Sequence, residues 1–500
     1  MGSKTLHLTA AIAAVVFALA LAGGAFAEVR FGVADDGGKY ADDGGASFFS
    51  ILNAAGLQAN RITVLWDPTD GTDGRTIREA GFLDRALPVA ALRGVDVVLS
   101  VYPAKAKVFA VDTQKRIDLF AEFLQILARR YPTVKTFIVG NEPNQPRFWQ
   151  PQFLPDGRGG HRAVAGALYE RLLAAGYDAL KAVDPKLVVV GLGLSPRGND
   201  NPRAPNNVSR SPVRFIADLA AEYRRSGRTK PIMDALGFHP YPQSNADPHS
   251  RGYSWPNAGL RDLDRIKQAI WDGFHDTAQP VFAEPGDVAR PALRLMLDEY
   301  GRQAVVIASV RSAYSGTENV KPVDEGTQAR LYVEAVREVA CEPAVSDFFL
   351  FHLVDEADLD RFQSGLLRAD GTRRPSFDSV RAAIGEGCRR APHVWRHAET
   401  VVAARVSFDG FRVRATAREE ARVTAAVFPA RTERGAILAA LTRRAARATG
   451  HVVLRAHRRV TLGLRTGELG PGTYVTATLL RATLNLDRAT LVVSRPFWVG

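Results

Sequence analysis

Residues 187–194 read LVVVGLGL, an almost uninterrupted run of β-branched and other apolar residues. Residues 348–354 have a similar composition, FFLFHLV. Strands that are covered by helices on both faces have this character, whereas a strand with one solvated face alternates apolar with polar residues. These two segments therefore predict strands of a parallel sheet that is buried on both sides.

The same strand-like pattern recurs through the first 390 residues, and amphipathic stretches separate its occurrences. The strand candidates are 29–34, 61–66, 95–102, 135–141, 187–194, 234–241, 293–299 and 347–354, and helix-like stretches include 113–130, 161–182, 212–225 and 325–340. Eight strands that alternate with helices predict a (β/α)8 TIM barrel. An open doubly wound sheet is the alternative, but it needs a glycine-rich phosphate loop after its first strand. The segment DDGGKYADDGG, residues 35–45, lacks the spacing of such a loop.

The first 27 residues are typical of a secretory signal peptide. Lys4 provides a positive start, residues 10–21 are almost continuously apolar, and residues 25–27, AFA, fit the small-x-small cleavage rule. We predict cleavage near Ala27 and secretion of the remainder to the cell exterior or the cell wall. An uncleaved N-terminal anchor is the alternative. We expect no membrane span in the mature chain, because no later segment is long and apolar enough.

The sequence pattern changes after residue 390. Period-two alternation appears in residues 401–416, 451–466 and 473–487, and turn residues such as LGPGT at 469–473 separate these runs. We therefore predict a barrel domain over residues 28–390, followed by a small antiparallel β-sandwich over residues 391–500. Residues 430–450 fit either a helix or a long loop.

Positive charge is concentrated in the second region. Residues 391–500 hold 18 Arg and no Lys against 7 acidic residues, so most of the net charge of +12 lies there. No nucleic-acid-binding motif accompanies this charge, and we expect no nucleic-acid partner. An anionic cell-wall polymer is a candidate partner, and a solvated basic surface is the alternative. We expect the chain to act as a monomer.

The chain has only two cysteines, Cys341 and Cys388. This number excludes a disulfide-framework protein and a cysteine-rich metal site. Each cysteine falls near the C-terminal end of one of two consecutive predicted barrel helices, so the pair can form a disulfide in an oxidising compartment. Two separate buried thiols are the alternative.

Two glutamates end predicted barrel strands, at the face where TIM barrels carry their functional residues. Glu142 lies in GNEPN after strand four, and Glu299 lies in LDEYG at the end of strand seven. These strands lie nearly opposite each other, so the two carboxylates can meet over the opening. Hydrolysis of a glycosidic bond needs one carboxylic acid to protonate the leaving oxygen and a second carboxylate to attack the sugar or activate water. At a separation of about 5 Å the pair predicts a retaining mechanism.

GNEPN after strand four, together with a glutamate after strand seven, resembles glycoside hydrolase clan A over roughly residues 29–388. This superfamily includes the cellulase-like family 5 and the xylosidase-like family 39. The resemblance implies that Glu142 is the acid/base and Glu299 the nucleophile. It implies no cofactor and no metal.

The same resemblance implies helper residues. Arg61 on strand two matches the clan arginine that holds the nucleophile ionised, and Asn141 matches the residue that bonds the 2-hydroxyl of the sugar. His239 and Tyr241 after strand six resemble the clan's histidine and tyrosine beside the nucleophile. Alternative roles remain open: Arg61 can be an interior ion-pair partner, and Tyr241 can pack at the rim.

Aromatic residues near strand ends are candidates for stacking against sugar rings. We assign Trp66 and Trp149 to substrate binding, and we count Tyr102, Phe148 and Trp255 as further candidates. Ordinary packing is the alternative for each of them.

The surrounding sequence also gives an expectation for several other residues. His352 stands where clan members often carry a tryptophan on strand eight. Strand alternation predicts that Asp298 points toward the helices. Glu284 in FAEPG is a rival nucleophile, but its surroundings resemble a loop. Three residues of the loop after strand eight are candidates for binding substrate hydroxyls: Asp355, Glu356 and Gln363.

Motifs of other enzyme classes are missing from the sequence. It contains no H-E-x-x-H, no paired Cys/His set, no EF-hand spacing and no G-x-S-x-G. The leading hypothesis is a secreted retaining glycoside hydrolase that cleaves a β-linked polysaccharide or oligosaccharide. The alternatives are a catalytically silent sugar-binding barrel attached to the cell wall, and a structural or adhesion protein in which the sandwich is the active part.

Overall fold

The computed structural model describes residues 28–287, 292–443, 450–464 and 469–500. The predicted signal peptide lies outside these residues. Eight parallel strands close into a barrel with helices between them, which confirms the predicted fold. The strands are β1 (Arg30–Ala34), β2 (Ala59–Trp66), β3 (Asp96–Pro103), β4 (Thr136–Val139), β5 (Val188–Leu194), β6 (Ala235–Phe238), β7 (Arg294–Tyr300) and β8 (Val345–Leu350). The main helices that follow them, in the same order, are α1 (Ala46–Ala54), α2 (Ala80–Leu92), α3 (Thr113–Arg130), α4 (Ala165–Val183), α5 (Pro212–Ser226), α6 (Leu263–Phe274), α7 (Glu325–Ala340) and α8 (Pro375–Glu386).

Three strands end earlier than the sequence predicts: β4 at Val139, β6 at Phe238 and β8 at Leu350. After β4 and β6 the chain leaves the strand before the residues that we expect to act in the site, so those residues occupy turns at the barrel mouth. Helix α4 also begins later than predicted, because His161–Ala163 pairs with Phe153–Pro155 in a short hairpin.

The interior of the barrel is closed by apolar side chains. One buried apolar residue from each strand contributes to a single interior cluster. The members of this cluster are Ala34, Ala59, Val98, Ile138, Val190, Ala235, Met296 and Phe349. A TIM barrel filled in this way is a packed core and not a pore, so polar chemistry is confined to its mouth.

The C-terminal region forms two antiparallel sheets, which confirms a β-sandwich after the barrel. Its strands are β9 (Arg405–Asp409), β10 (Arg412–Thr416), β11 (Ala421–Pro429), β12 (Gly450–Leu454), β13 (Arg459–Gly463), β14 (Gly472–Ala482), β15 (Ala489–Val493) and β16 (Phe497–Val499). One sheet has the order β9-β10-β13, and the other has the order β12-β11-β14-β15, with β16 also paired to β14. Helix α9 (Arg434–Arg443) occupies part of the 430–450 segment, and residues 444–449 lie outside the described chain.

Buried charges link the sandwich to the outside of the barrel. The Arg488 guanidinium lies 2.5 Å from Glu419 in the sandwich and 3.0 Å from Asp272 on α6. Arg214 on α5 pairs with Glu420 at 3.1 Å. The sandwich therefore contacts helices of the outer layer.

Cys341 and Cys388 form a disulfide, which confirms the paired alternative. The bond joins the residue that follows α7 to a residue shortly after α8. Among the described residues, we find no helix with the length and apolar character needed to cross a membrane.

Candidate active site

A cavity of about 1470 Å³ opens at the carboxyl ends of the barrel strands. Its wall includes Glu142 and Glu299, and also Arg61, Asn141 and Tyr241. The structure therefore brings five of the residues that we singled out to one place. A mostly preformed concave site with convergent polar groups is the usual form of a small-molecule site.

The backbone around Glu142 is held in a sharp turn. Gly140 has φ +94°, and a Cβ at this position would lie 2.9 Å from the Tyr169 ring, so glycine is required. Glu142 itself has φ +39°, an uncommon value for a residue with a side chain, and its N–H donates to the Gly193 carbonyl at 2.9 Å. Asn144 is fully buried, and its side chain bonds both backbone groups of Ser195. These contacts fix the turn and aim Glu142 into the cavity.

The Glu142 carboxylate meets the imidazole of His239, with 2.9 Å between Oε1 and Nδ1. Burial raises the pKa of Glu142 above its ordinary value, and the charges of Glu299 and Asp298 add to this rise. The His239 contact opposes the rise but does not cancel it. The environment thus favours the protonated form, as a general acid requires.

Glu299 has a different set of neighbours. Arg61 Nη1 lies 3.0 Å from its Oε1, and the Tyr241 hydroxyl donates to its Oε2 at 3.0 Å. His239 Nδ1 is 3.5 Å from the same Oε2. Glu299 is thus held by a cation and by a donated hydrogen bond.

Arg61 connects several groups of the site. Its Nη2 donates to Asn141 Oδ1 at 2.7 Å, and its Nε lies 3.6 Å from Asp298. Burial opposes the charge on Arg61, but Glu299 and Asp298 outweigh it and raise the pKa of Arg61 further. Arg61 is thus an ion-pair partner inside the barrel and, at the same time, a neighbour of Glu299.

The prediction that Asp298 points toward the helices is wrong. Asp298 is fully buried inside the barrel, and its Oδ2 lies 3.1 Å from His239 Nε2. Phe348 pairs with Leu297, but Leu350 pairs with Tyr300, so β7 carries one residue more than β8 over this stretch. A β-bulge of this kind breaks the alternation of side chains. Asp298 therefore contacts His239 while its neighbour Glu299 lines the cavity.

His239 lies beneath the cavity and is fully buried among carboxylates. Burial lowers its pKa, but the charges of Glu299 and Asp298 and its hydrogen bonds outweigh burial and raise the pKa to about 10. The pKa of Asp298 is lowered: burial opposes this, but the charge and hydrogen bond of His239 prevail. The pKa of Tyr241 is raised well above its ordinary value, first by burial and then by Glu299 and Glu142. At neutral pH the site therefore combines a cationic His239 with a neutral Tyr241.

Trp66 and Trp149 do not line the cavity, which corrects their assignment to substrate binding. Both are buried, at 2% and 3% exposure. Both rings stack on Phe109, with ring centroids 5.7 Å away for Trp66 and 5.0 Å away for Trp149, and Trp66 Nε1 donates to the Gly74 carbonyl. Packing among other rings thus occupies the faces that a sugar would need.

Two other aromatic candidates, Tyr102 and Phe148, do line the cavity. Trp255 does not line it, and the Arg214 guanidinium lies 5.3 Å from its ring. Glu284, the rival nucleophile, also lies outside the cavity wall and accepts from the backbone N–H of His397 at 2.7 Å.

Of the three candidates in the loop after β8, two reach the cavity wall and one does not. Asp355 and Glu356 line the cavity, but Asp355 is already engaged by Arg374 and by the Tyr314 hydroxyl. Gln363 is fully buried and donates to backbone carbonyls of its own loop, so it does not reach the cavity.

Sequence reasoning missed Asp36 and two aromatic residues that follow β8. Asp36 lines the cavity, accepts from the Thr63 N–H at 2.7 Å, and has a pKa that burial raises. Its position two residues after β1 could have identified it, because functional residues of TIM barrels follow the carboxyl ends of the strands. The cavity wall also includes Phe351 and Phe362, beside His352, to which the sequence had pointed.

Among the described residues, one cluster of potential metal ligands lies outside the cavity: Asp264, Glu342 and His393. The Lys267 ammonium lies 2.8 Å from Asp264 and 3.1 Å from Glu342, so a cation of the chain already neutralises these carboxylates.

No protein-family model and no curated protein matches the chain. Among solved structures, the chain is similar to a GH5_18 protein from Bifidobacterium longum subsp. infantis, at 15% identity and a TM-score of 0.45 over 75% of this chain and 82% of that one. It is similar to the virulence factor SghA in complex with its substrate analogue salicin, at 14% identity and a TM-score of 0.44 over 71% of this chain and 95% of that one. It is also similar to a Bacteroides uniformis beta-glucuronidase, at 12% identity and a TM-score of 0.43 over 95% of this chain and 46% of that one. The chain spans about half of the length of the beta-glucuronidases that it matches, and likeness at this level concerns the fold.

Proposed function

We propose that this chain is a retaining glycoside hydrolase, with Glu142 as acid/base and Glu299 as nucleophile. One observation carries the proposal. Two carboxylates at the barrel mouth share His239 Nδ1, yet one has a raised pKa and the other is ion-paired with Arg61. Paired carboxylates whose environments separate their protonation states are what glycosidic hydrolysis needs.

The separation of the two carboxylates supports double displacement. His239 Nδ1 is 2.9 Å from Glu142 Oε1 and 3.5 Å from Glu299 Oε2. The distance between these two oxygens therefore cannot exceed the sum of the two contact distances. That sum lies just below the separation of about 6.5–9.5 Å that is typical of inverting enzymes. Double displacement needs no water molecule between the sugar and the second carboxylate in its first step.

In this mechanism Glu299 attacks the anomeric carbon while Glu142 gives its proton to the leaving oxygen. A covalent glycosyl ester forms, and Glu142 then takes a proton from the water that cleaves it. Arg61 and Tyr241 hold Glu299 in place before the attack. Asn141 accepts from Arg61 through its Oδ1, which leaves its amide N–H groups to meet a sugar hydroxyl.

We also propose that the chain acts outside the cytoplasm. The Cys341–Cys388 disulfide supports this proposal, because structural disulfides persist mainly in oxidising compartments. The basic surface of the sandwich is suited to an anionic cell-wall polymer, which a sedimentation assay with purified cell walls at low and high salt would test.

The mechanism is tested with a panel of aryl glycosides. Glu299→Ala should lose nearly all activity on every substrate, and added azide should restore turnover with a glycosyl azide of inverted configuration. Glu142→Ala should lose about 10²–10⁴-fold on poor leaving groups and less on 2,4-dinitrophenyl glycosides, which need no acid. Azide should then give a product of retained configuration.

Glu284→Ala is the matched control, because this glutamate lies outside the cavity wall. Activity that survives Glu299→Ala without azide would remove Glu299 from its role. Sugar binding by a wild-type protein that hydrolyses none of the panel would instead support the silent-barrel alternative.

A further inference from the structure

A row of aromatic rings leads away from Glu299. The Tyr241 hydroxyl bonds Glu299, and the Tyr241 ring centroid is 6.1 Å from that of Phe351. The Phe351 ring in turn lies 5.0 Å from Phe362, edge to face. All three rings line the cavity, and Phe362 remains 38% exposed. The row therefore connects the proposed nucleophile to the rim.

A second aromatic surface lies on the side of Glu142. Phe148 and Tyr102 pack edge to face at 5.9 Å, and both line the cavity. Phe148 is fixed relative to Glu142 by the turn between them: the Gln145 N–H donates to the Glu142 carbonyl at 2.8 Å, and the Phe148 N–H donates to the Gln145 carbonyl at 3.2 Å.

The loop that carries Phe362 is also held firmly. The Phe362 N–H donates to Glu356 Oε2 at 3.1 Å, and the Glu356 N–H donates to the Phe362 carbonyl at 3.1 Å. Buried Gln363 donates to the Glu356 and Asp358 carbonyls. These hydrogen bonds hold the loop so that the Phe362 ring stays exposed on the cavity wall.

The two surfaces face each other across the barrel mouth. Phe148 follows β4 and Phe351 follows β8, and these strands lie on opposite sides of the closed barrel. The cavity of about 1470 Å³ is larger than the about 300–1,000 Å³ of sites for drug-sized ligands. A cavity of this size has room for more than one sugar ring.

We propose that two subsites flank the carboxylate pair, one on Phe148 and one on Phe362, and that a linear oligosaccharide chain occupies both. The inference rests on the proposed function and adds the positions that bind the neighbouring sugar rings. Rings can stack on Phe148 and Phe362, because the C–H face of a pyranose packs on an aromatic face. Acidic side chains nearby, such as Asp36 and Glu356, can accept from the hydroxyl edges.

The test uses unmodified oligosaccharides of two to six rings, built from the sugar that the aryl glycoside panel identifies. kcat/KM should rise with chain length in the wild type. Phe148→Ala and Phe362→Ala should each reduce the ratio of kcat/KM on the longest to that on the shortest substrate by roughly three- to tenfold, the scale of one aromatic contact. Phe362→Tyr should retain the ratio, and Trp498→Ala, an exposed aromatic in the sandwich, should not change it.

The possible outcomes separate the two proposals. A flat chain-length profile, or alanine variants that keep the wild-type ratio, would overturn the subsites while leaving the glycosidase intact. A wild type without hydrolytic activity would overturn the proposed function. In that case calorimetric titration with β-glucan, xylan and mannan hexasaccharides decides the subsites: weaker binding by both alanine variants supports them, and unchanged or absent binding refutes them.

Discussion

At the scale of single residues, His239 touches three carboxylates: Glu142, Asp298 and Glu299. Its raised pKa, about 10, means that it carries a positive charge through the neutral range. This charge stabilises the ionised Asp298 and limits how far the pKa of Glu142 rises. His239 therefore acts as a positioning residue that also tunes the proposed acid.

Replacing this histidine should change the pH profile in a defined direction. The proposed mechanism needs Glu142 protonated, so kcat/KM should fall as Glu142 ionises at high pH. His239 lowers the pKa of Glu142, so His239→Gln should move the basic limb to higher pH. Loss of a charged hydrogen bond should also cut the maximal kcat/KM by about ten- to hundredfold.

The measurement is kcat/KM between pH 4 and pH 10 on one aryl glycoside. His352→Gln is the control, because His352 lines the same cavity but has no hydrogen bond or ion pair with Glu142 among the described contacts. A basic limb that stays in place in His239→Gln, or moves to lower pH, would contradict the assignment of Glu142 as the acid.

The sequence predicted the positions of some residues at the barrel mouth well and of others poorly, and the reason is physical. Glu142 follows β4 and Glu299 is the penultimate residue of β7, so a strand count alone places both at the mouth. Asp298 was misplaced because a bulge breaks the period of two. Trp66 and Trp149 were misplaced because the direction of a side chain near a strand end depends on how the following loop packs, and no short-range pattern reports that.

At the scale of secondary structure elements, strands and helices followed hydrophobic periodicity closely. α3 and α7 begin and end at the residues that periodicity indicates. The ends of β4, β6 and β8 did not follow it, because the chain turns at the barrel mouth directly after Val139, Phe238 and Leu350. The cysteines could be placed near two helix ends from the sequence, but only the packing of α7 against α8 decides whether they meet.

The disulfide between these helix ends should contribute to stability. Cys341 and Cys388 close a loop with a sequence separation of 47. Replacing both by serine should lower the free energy of unfolding by about 2–4 kcal/mol, because the unfolded chain gains conformational freedom. Urea denaturation of the two proteins measures the difference.

Reductant provides the matched control for this experiment. It should destabilise the wild type and leave the double serine variant unchanged. Equal unfolding free energies for the oxidised wild type and the variant would show that the bond adds nothing to stability.

At the scale of the whole molecule, the sandwich and the barrel share buried charges. Arg488 is 5% exposed and pairs with Glu419 in the sandwich and Asp272 in the barrel. Arg488→Ala would leave two carboxylates at the interface without their cation. Breaking a buried pair in this way should cost about 3–5 kcal/mol.

Chemical denaturation followed by circular dichroism should show this loss, with the sandwich melting before the barrel. Arg495→Ala is the control, since Arg495 is an exposed arginine of the same domain. Aryl glycosidase activity should persist in Arg488→Ala, because every residue of the cavity wall comes from the barrel. A single unfolding transition at the wild-type midpoint would contradict a stabilising role for Arg488.

The closure of the barrel has a consequence for biosynthesis. Arg30 in β1 pairs with Asp347 in β8, so one edge of the first strand stays open until the last strand has been made. At about 5–20 residues per second, that interval is roughly 15–60 s on the ribosome. During this time β1 offers unpaired backbone groups to any other extended chain. Slowing translation late in the barrel should therefore increase aggregation, whereas slowing it within the sandwich should not.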